Sequence, residues 1–257
     1  MSTEDQNQST ENLSVRPEQE TEKIRSMFNR ITPTYDFLNH LLSLNLDKRW
    51  RRISVKALGD LRDKRILDLC CGTGDITFEI LKQSDGKCRE VIGLDFAQEM
   101  LERMSKKAER NINKEKITYL QADATCLPLD DISVDHCCVC MGVRNINDVP
   151  KALGEIHRIL VPGGRLAILE SALPNSPLMR GFYYFYSRLI IPFVGKLVSG
   201  ESIAYKYFHE SIEVFPYGEK FANVVRDAGF APVRVIPLTL GIVNLYIAQK
   251  PSEGEPG

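Results

Sequence analysis

The chain has 257 residues, with 33 Lys and Arg against 34 Asp and Glu, a formal charge of −1, and 43% apolar residues. That length fits one large domain with a full core, and the balanced charge lacks the basic excess that makes a phosphate backbone the default partner, so nucleic acid is not expected. The longest apolar runs, such as Leu189 to Val194, fall far short of the ~18 to 20 residues that cross a bilayer, and residues 1–22 lack the basic and then apolar pattern of a secretory signal.

Those first 22 residues carry six acids against Arg16 and almost nothing to bury, which predicts a disordered, solvated tail; residues 251–257 read the same way. Without residues 1–22 the chain has 32 bases against 28 acids, a mildly positive remainder. Its seven cysteines include the neighbours Cys70-Cys71 and Cys137-Cys138-Cys140 inside apolar runs. These suit buried reduced thiols of a cytoplasmic protein better than disulfides, and no metal site is expected.

From residue 23 to 250 the pattern predicts a single domain, opened by helices over 23–60 on the substrate side. Arg65 to Leu69 is dense enough in apolar residues for a buried strand, and Asp75 to Lys82 continues at helical spacing. Val91 to Leu94 forms the second strand, followed by a helix over Gln98 to Arg110; Ile117 to Leu120, Val134 to Cys140 and Arg165 to Leu169 form the next three. A helix over Val149 to Leu160 precedes the last of these, and Pro162-Gly163-Gly164 is read as the turn that ends it. Five βα units in a row predict an α/β fold with a doubly wound, mostly parallel sheet. The alternation lapses in an aromatic, helical cap over 175–212, then resumes with a helix at Tyr217 to Ala228 and an antiparallel hairpin of Val233 to Ile236 with Ile242 to Ala248.

Between the first strand and its helix, Cys71-Gly72-Thr73-Gly74 gives two glycines that let the backbone approach a ligand at a helix N-terminus. A tight turn without a ligand remains the alternative. Asp95 closes the second strand 21 residues after Gly74, where a carboxylate can accept both hydroxyls of a ribose. The nicotinamide fingerprint would require a third glycine at position 77, which holds Thr77. After the third strand, Asp123 is positioned to accept from an adenine amine and Ala124 to offer its N–H.

Taken in order, DLCCGTG from Asp68, LD at Asp95, QADA from Gln121 and PGGRL from Pro162 resemble the motifs of class I methyltransferases that use S-adenosylmethionine. The resemblance implies the Rossmann-like fold of that class. It also implies a cofactor site of Asp68, Gly72, Thr73, Gly74, Asp95, Asp123, Ala124 and Cys140. Cys70 stands where the class most often has glycine, which puts the closest backbone approach at Gly72 and Gly74.

Segments outside those motifs are more specific. Tyr35-Asp36-Phe37-Leu38-Asn39 through Ser43 to Trp50, Met141-Gly142-Val143-Arg144-Asn145, and Arg158 to Leu166 with Glu170 resemble the signatures of the quinone C-methyltransferases. Asp47 departs from the usual His and Val161 from the usual Lys, and Asp47 is given no catalytic role. Glu170 to Pro174, Tyr183 to Pro192 and Cys70-Cys71 resemble the menaquinone enzymes of that family. They imply methylation of demethylmenaquinol; a ubiquinol precursor, another phenolic lipid, or a cofactor-binding subunit without turnover are the alternatives.

Carbon methylation needs the quinol oxygen beside the acceptor carbon deprotonated or its anion stabilised. The expected catalytic residues are Asp36 as base or orienter, Tyr35 as hydrogen-bond partner, and Arg144 with Asn145 as stabilisers of the quinolate. Asp36 as a helix N-cap, Arg144 paired with Asp148, and Tyr35 and Trp50 as packing residues are the plainer readings. The cap is either a buried helix or a doorway for an isoprenoid tail, with Arg180, Arg188 and Lys196 suited to brief contact with anionic lipid at the inner face of the membrane. A homodimer stays open alongside a monomer.

Overall fold

Short apolar segments pair side by side into one sheet in the computed structural model, which describes residues 13, 15, 17–174, 176–191, 193 and 203–252. The strands are β1 (Arg65–Leu69), β2 (Glu90–Asp95), β3 (Ile117–Gln121), β4 (Val134–Cys140), β5 (Leu160–Ser171), β6 (Val233–Leu238) and β7 (Val243–Gln249). Their order is β3-β2-β1-β4-β5-β7-β6. The first five are parallel, and β7 runs antiparallel to both β5 and β6, so the expected closing hairpin forms.

The strand order reverses between β1 and β4, the place where doubly wound sheets leave a crevice at their carboxyl ends. Asp68 of β1 lies opposite Cys138 of β4, so Cys70 and Cys140 leave the sheet beside each other at that crevice.

One face of the sheet is covered by α6 (Val149–Ile159) and α9 (Glu219–Asp227), where Leu153, Ile156, Phe221 and Val225 meet buried Leu166 and Tyr246. The other face carries α3 (Leu46–Ala57), α4 (Asp75–Gln83) and α5 (Gln98–Ala108), with Trp50, Val55, Ile80, Leu81 and Met104 in the core. Each fully buried apolar side chain contributes roughly 1.5 to 3 kcal/mol relative to exposure.

Three expectations change. The predicted tail ends early: α1 (Glu18–Ile31) begins before residue 22, because Ile24, Met27 and Ile31 form a stripe that is buried. Residues 1–12 and 253–257 of the two expected tails lie outside the described residues. The run of five βα units is interrupted, since residues 122–133 connect β3 to β4 without a helix. Arg158 of α6 instead pins that connection by donating to the carbonyls of Leu127 and Leu129, at 3.1 and 2.8 Å. Finally, Pro162-Gly163-Gly164 is no turn after a helix but an irregular start to β5, with a register shift against β4. A Cβ on Gly164 would lie 2.7 Å from the Val161 carbonyl and 2.8 Å from that of Asp135.

Toward the carboxyl edge, α2 (Tyr35–Leu42) packs on the cap, which comprises α7 (Pro177–Phe185), a wider π turn over Tyr186–Ile190, and α8 (Ile203–Val214). Leu38 and Ile191 are buried together, and the Tyr186 hydroxyl donates to the Leu42 carbonyl at 3.0 Å. Lys196 lies outside the described residues.

Candidate active site

The site begins where β1 ends. Asp68 is buried, and one of its oxygens accepts from the Thr77 N–H at 2.9 Å and the Thr77 hydroxyl at 2.7 Å. The residue that breaks a nicotinamide fingerprint is thus the one that holds this carboxylate. Burial pushes Asp68 up to about 7 against those two bonds.

Cys70 turns the chain with φ +56°, a left-handed conformation unusual for a residue with a Cβ. Its side chain is accommodated by Gly142, where an added Cβ would lie 2.4 Å from that of Cys70. Of the two expected glycines, Gly72 lines the crevice. Gly74 does not: its φ of +88° starts α4, and a Cβ there would collide with Met104 at 2.6 Å.

Asp95 is buried at the end of β2, its oxygens accepting from the N–H groups of Gly72 at 2.8 Å and Ala97 at 2.9 Å. Burial pushes it up to about 6 in spite of these bonds. With Phe96, Asp123, Ala124 and Asn147 it lines a narrow cavity of about 70 Å³. Thr21 and Phe28 of α1 form the opposite wall, so Thr21, assigned to the tail by composition, belongs to the site.

A larger cavity of about 410 Å³ adjoins it, and Tyr35, Cys70, Gly72 and Cys140 line both. Its far wall holds Arg144, buried, with its guanidinium hydrogen-bonded to Glu170, to the Ser211 hydroxyl at 3.3 Å and to the Met141 carbonyl at 3.2 Å, and 5.1 Å from the Phe208 ring. The plainer pairing with Asp148 does not form, because Asp148 caps α6 by accepting from the Lys151 N–H at 3.0 Å. Asn145 accepts from the Tyr207 hydroxyl at 3.0 Å and lines the narrow cavity, not the large one.

Tyr35 lies edge-on to Phe28 with ring centres 6.2 Å apart, and burial raises its hydroxyl above the usual phenol range while Asn39 and Arg51 pull it down. Trp50 lines the large cavity and donates to the Thr239 hydroxyl at 2.7 Å.

Asp36 corrects both of its expected roles. Thr34 occupies the N-cap position of α2. The Asp36 carboxylate accepts from the Thr73 hydroxyl and from Lys107 Nζ at 3.2 Å, and it lines neither cavity. It is a strut between α2 and the glycine turn, and it occupies the hydroxyl of Thr73.

Asp47, given no role from sequence, sits at the centre of a network. It is hydrogen-bonded to Arg51, to the Ser43 hydroxyl at 2.7 Å and to His40 Nδ1 at 2.6 Å. Burial alone would raise it; Arg51, Ser43 and His40 outweigh that and hold it below the usual carboxylate range. Spacing is the signal that could have found this group: His40, Ser43 and Asp47, then Asp47 and Arg51, recur at three or four residues.

The model of the ubiE/COQ5 methyltransferase family matches residues 16–250. A demethylmenaquinone methyltransferase of Thermus thermophilus is 41% identical over 88% of this chain and 100% of its own. One of Bacteroides fragilis is 38% identical over 90% and 93%, and a ubiquinone/menaquinone biosynthesis C-methyltransferase UbiE of a Geobacter species is 39% identical over 89% and 97%. Among solved structures, the [4+2]-cyclase SpnF superposes with a TM-score of 0.65 at 15% identity, covering 93% of this chain and 98% of that one. A SAM-dependent methyltransferase from Aquifex aeolicus gives 0.56 at 18%, covering 78% and 89%. At such identities these two speak for the fold alone, which hosts both a cyclase and a transferase.

Proposed function

Because the chain belongs to the ubiE/COQ5 methyltransferase family, we propose that it transfers a methyl group from S-adenosylmethionine to a ring carbon of demethylmenaquinol, forming menaquinol. The observation that carries this reading is the junction, at Tyr35, Gly72 and Cys140, of a narrow cavity lined by the carboxylates of Asp95 and Asp123 with a larger cavity that holds Arg144 among apolar side chains.

The narrow cavity carries the polar groups a nucleoside calls for. Asp95 is positioned for the ribose hydroxyls, and Asp123 with Ala124 for the adenine edge, while Asp68 keeps the turn in shape through Thr77. S-adenosylmethionine supplies a methyl group already activated on a sulfonium sulfur, so the protein's remaining task is to make the acceptor carbon nucleophilic and hold it in line.

Arg144 does the first part. Loss of the quinol hydroxyl proton places negative charge on oxygen and on the adjacent ring carbon, and a guanidinium fixed by Glu170 and Ser211 favours that charge without reorganising. Tyr35 lines the junction and offers a hydroxyl to the same oxygen. Asp36, engaged by Thr73 and Lys107 away from the cavity, is not retained as the base, and Asn145 is assigned to the cofactor side.

Leu38, Leu42, Phe182 and Tyr186 line the large cavity, suiting the apolar ring and the start of an isoprenoid tail. On the outer side of the same helices Phe37, Leu41, Leu178, Phe185 and Leu189 are exposed. We assign this face to brief contact with a lipid surface. The contact is apolar more than ionic: Arg188 is engaged by Glu213 at 2.8 Å and Arg180 donates to the Pro174 carbonyl at 3.1 Å. Among the described residues no helix is long and apolar enough to cross a membrane.

The test is mass spectrometry of products formed with methyl-labelled S-adenosylmethionine. Demethylmenaquinol should gain one labelled methyl on carbon. Labelling of a ubiquinol precursor alone, or of neither quinol, would overturn the assignment.

A further inference from the structure

Two cations line the large cavity among the described residues, Arg144 on the acceptor side and Arg51 on the side of the glycine turn. Methyl transfer at Arg144 gives Arg51 no task. It projects from α3, only 12% exposed, and its ion pairs with Asp47 and Asp75 both close through Nη1, the latter at 3.2 Å. Among the described residues no hydrogen bond involves its Nη2 or Nε. Its electrostatic neighbours also include Cys140 and Tyr35, two residues of the junction. A largely covered guanidinium held at one corner thus keeps the rest of its donor edge for a ligand.

What would meet that edge follows from the topology. A nucleoside seated at Asp95 and Asp123 with its 5′ carbon at the junction places the group beyond that carbon in the large cavity, beside Gly72 and Thr73. In S-adenosylmethionine that group is an α-amino acid, a zwitterion. The wall there carries both signs, Arg51 between the carboxylates of Asp47 and Asp75. Arg is the side chain suited to planar, paired recognition of a carboxylate.

We propose that Arg51 is the cofactor's carboxylate receptor, binding the α-carboxylate of the methionine part through its Nη2 edge. Asp47, Ser43 and His40 hold the guanidinium in position, and the carboxylates beside it receive the α-ammonium. This inference rests on S-adenosylmethionine being the cofactor. It concerns binding, and no step of the transfer depends on it.

The test is calorimetric binding of S-adenosylmethionine and of its decarboxylated analogue, which keeps the sulfonium and the amine but lacks the carboxylate. Wild-type protein should bind the analogue about tenfold to a hundredfold more weakly, as a charged hydrogen bond predicts. Arg51→Gln should lose that discrimination by weakening only the natural cofactor, and Arg51→Lys should restore part of it. The affinity ratio cancels any general loosening of the site. A wild-type ratio near one overturns the inference even if neither variant folds, as does a ratio retained in Arg51→Gln. Failure of the wild type to bind S-adenosylmethionine at all is a different result, and it sinks the methyltransferase reading together with this one.

Discussion

The two cavities meet at a shared wall but are built in opposite ways. The narrow one is made where strands end: Gly72, Asp95 and Ala97 fix it through backbone N–H groups bonded to one buried carboxylate. The large one is made mostly by helices that are distant in sequence, with residues from α2, α3, α7 and α8 contributing side chains, and its charges come from Arg144, joined to Glu170 behind it, and from Arg51 with Asp47 and Asp75. A nucleoside has constant shape and rigid polar edges, which backbone geometry can match. A lipid-tailed ring offers little besides its oxygens, so Arg144 and an apolar sleeve must recognise it, while the charges of Arg51, Asp47 and Asp75 lie at the other side of the cavity, by the glycine turn.

The sharpest way to break this contrast is at Arg144. Arg144→Met combined with Glu170→Gln avoids leaving an unpaired buried charge, a change that itself costs about 3 to 5 kcal/mol. Turnover of the quinol should fall about 100-fold or more, while S-adenosylmethionine affinity by calorimetry stays near wild type. If affinity collapses and turnover at saturating cofactor is normal, the division of labour between the cavities is wrong.

Asp95 is the reciprocal probe. Asp95→Asn should weaken cofactor binding by about tenfold to a hundredfold and leave turnover at saturating cofactor nearly intact. The effect carries a pH signature. Burial raises Asp95 to about 6 in the free protein, and ribose hydroxyls donate best to the ionised form, so wild-type affinity should drop as pH falls through about 6. Asp95→Asn should lack that step. In the ligand-free protein the unfolded carboxyl ionises first, so the contribution of Asp95 and Asp68 to stability should decline as pH rises from about 4 toward 7. His136 and His157, lowered by burial, act in the opposite direction, so the check is the difference between wild type and Asp95→Asn: a difference in melting temperature that does not decline across this window would contradict the Asp95 assignment.

The same contrast explains what could be read from the sequence. Strands of four to seven residues rich in apolar side chains, and the positions of Gly72, Asp95, Asp123 and Ala124 at their ends, follow from local pattern, because each depends on where one strand ends; Asp68 entered through the family resemblance. Arg144 stands out in the sequence, but its partner does not: Asp148 is four residues away and Glu170 is 26, and only the pairing of β4 with β5 makes the distant one near. Asp36 failed for a related reason, since nothing local shows that Thr73 and Lys107 reach it across 37 and 71 residues. Thr21 was hidden by composition, as a polar residue in an acidic stretch belongs to the site only because Ile24 and Met27 anchor the helix that carries it.

A smaller effect is expected on the outer face of the apolar sleeve. Replacing exposed Phe185 and Leu189 with Ser should reduce flotation with anionic vesicles by about tenfold, in line with the apolar area withdrawn from lipid. Methylation of a short-tailed soluble quinol should be unaffected. Equal flotation of variant and wild type would remove the lipid contact, and loss of a dimer in light scattering would reassign the face to a second copy of the chain.

The smallest effect tests whether the glycine turn and the acceptor loop are matched to each other. Cys70 occupies a left-handed position at about 1 to 2 kcal/mol of backbone cost, while glycine there would gain freedom in the unfolded chain and leave a gap beside Gly142. These terms oppose one another, so Cys70→Gly should change stability in denaturant by no more than about 1 kcal/mol. Gly142→Ala, which drives a Cβ to within 2.4 Å of that of Cys70, should cost about 1 to 3 kcal/mol alone and substantially less when combined with Cys70→Gly. Coupling of that sign means the thiol after β1 and the glycine after β4 fill one space at the junction. Additive costs would mean that the backbone of each turn is set independently, and that Cys70 is tolerated by its own strand alone.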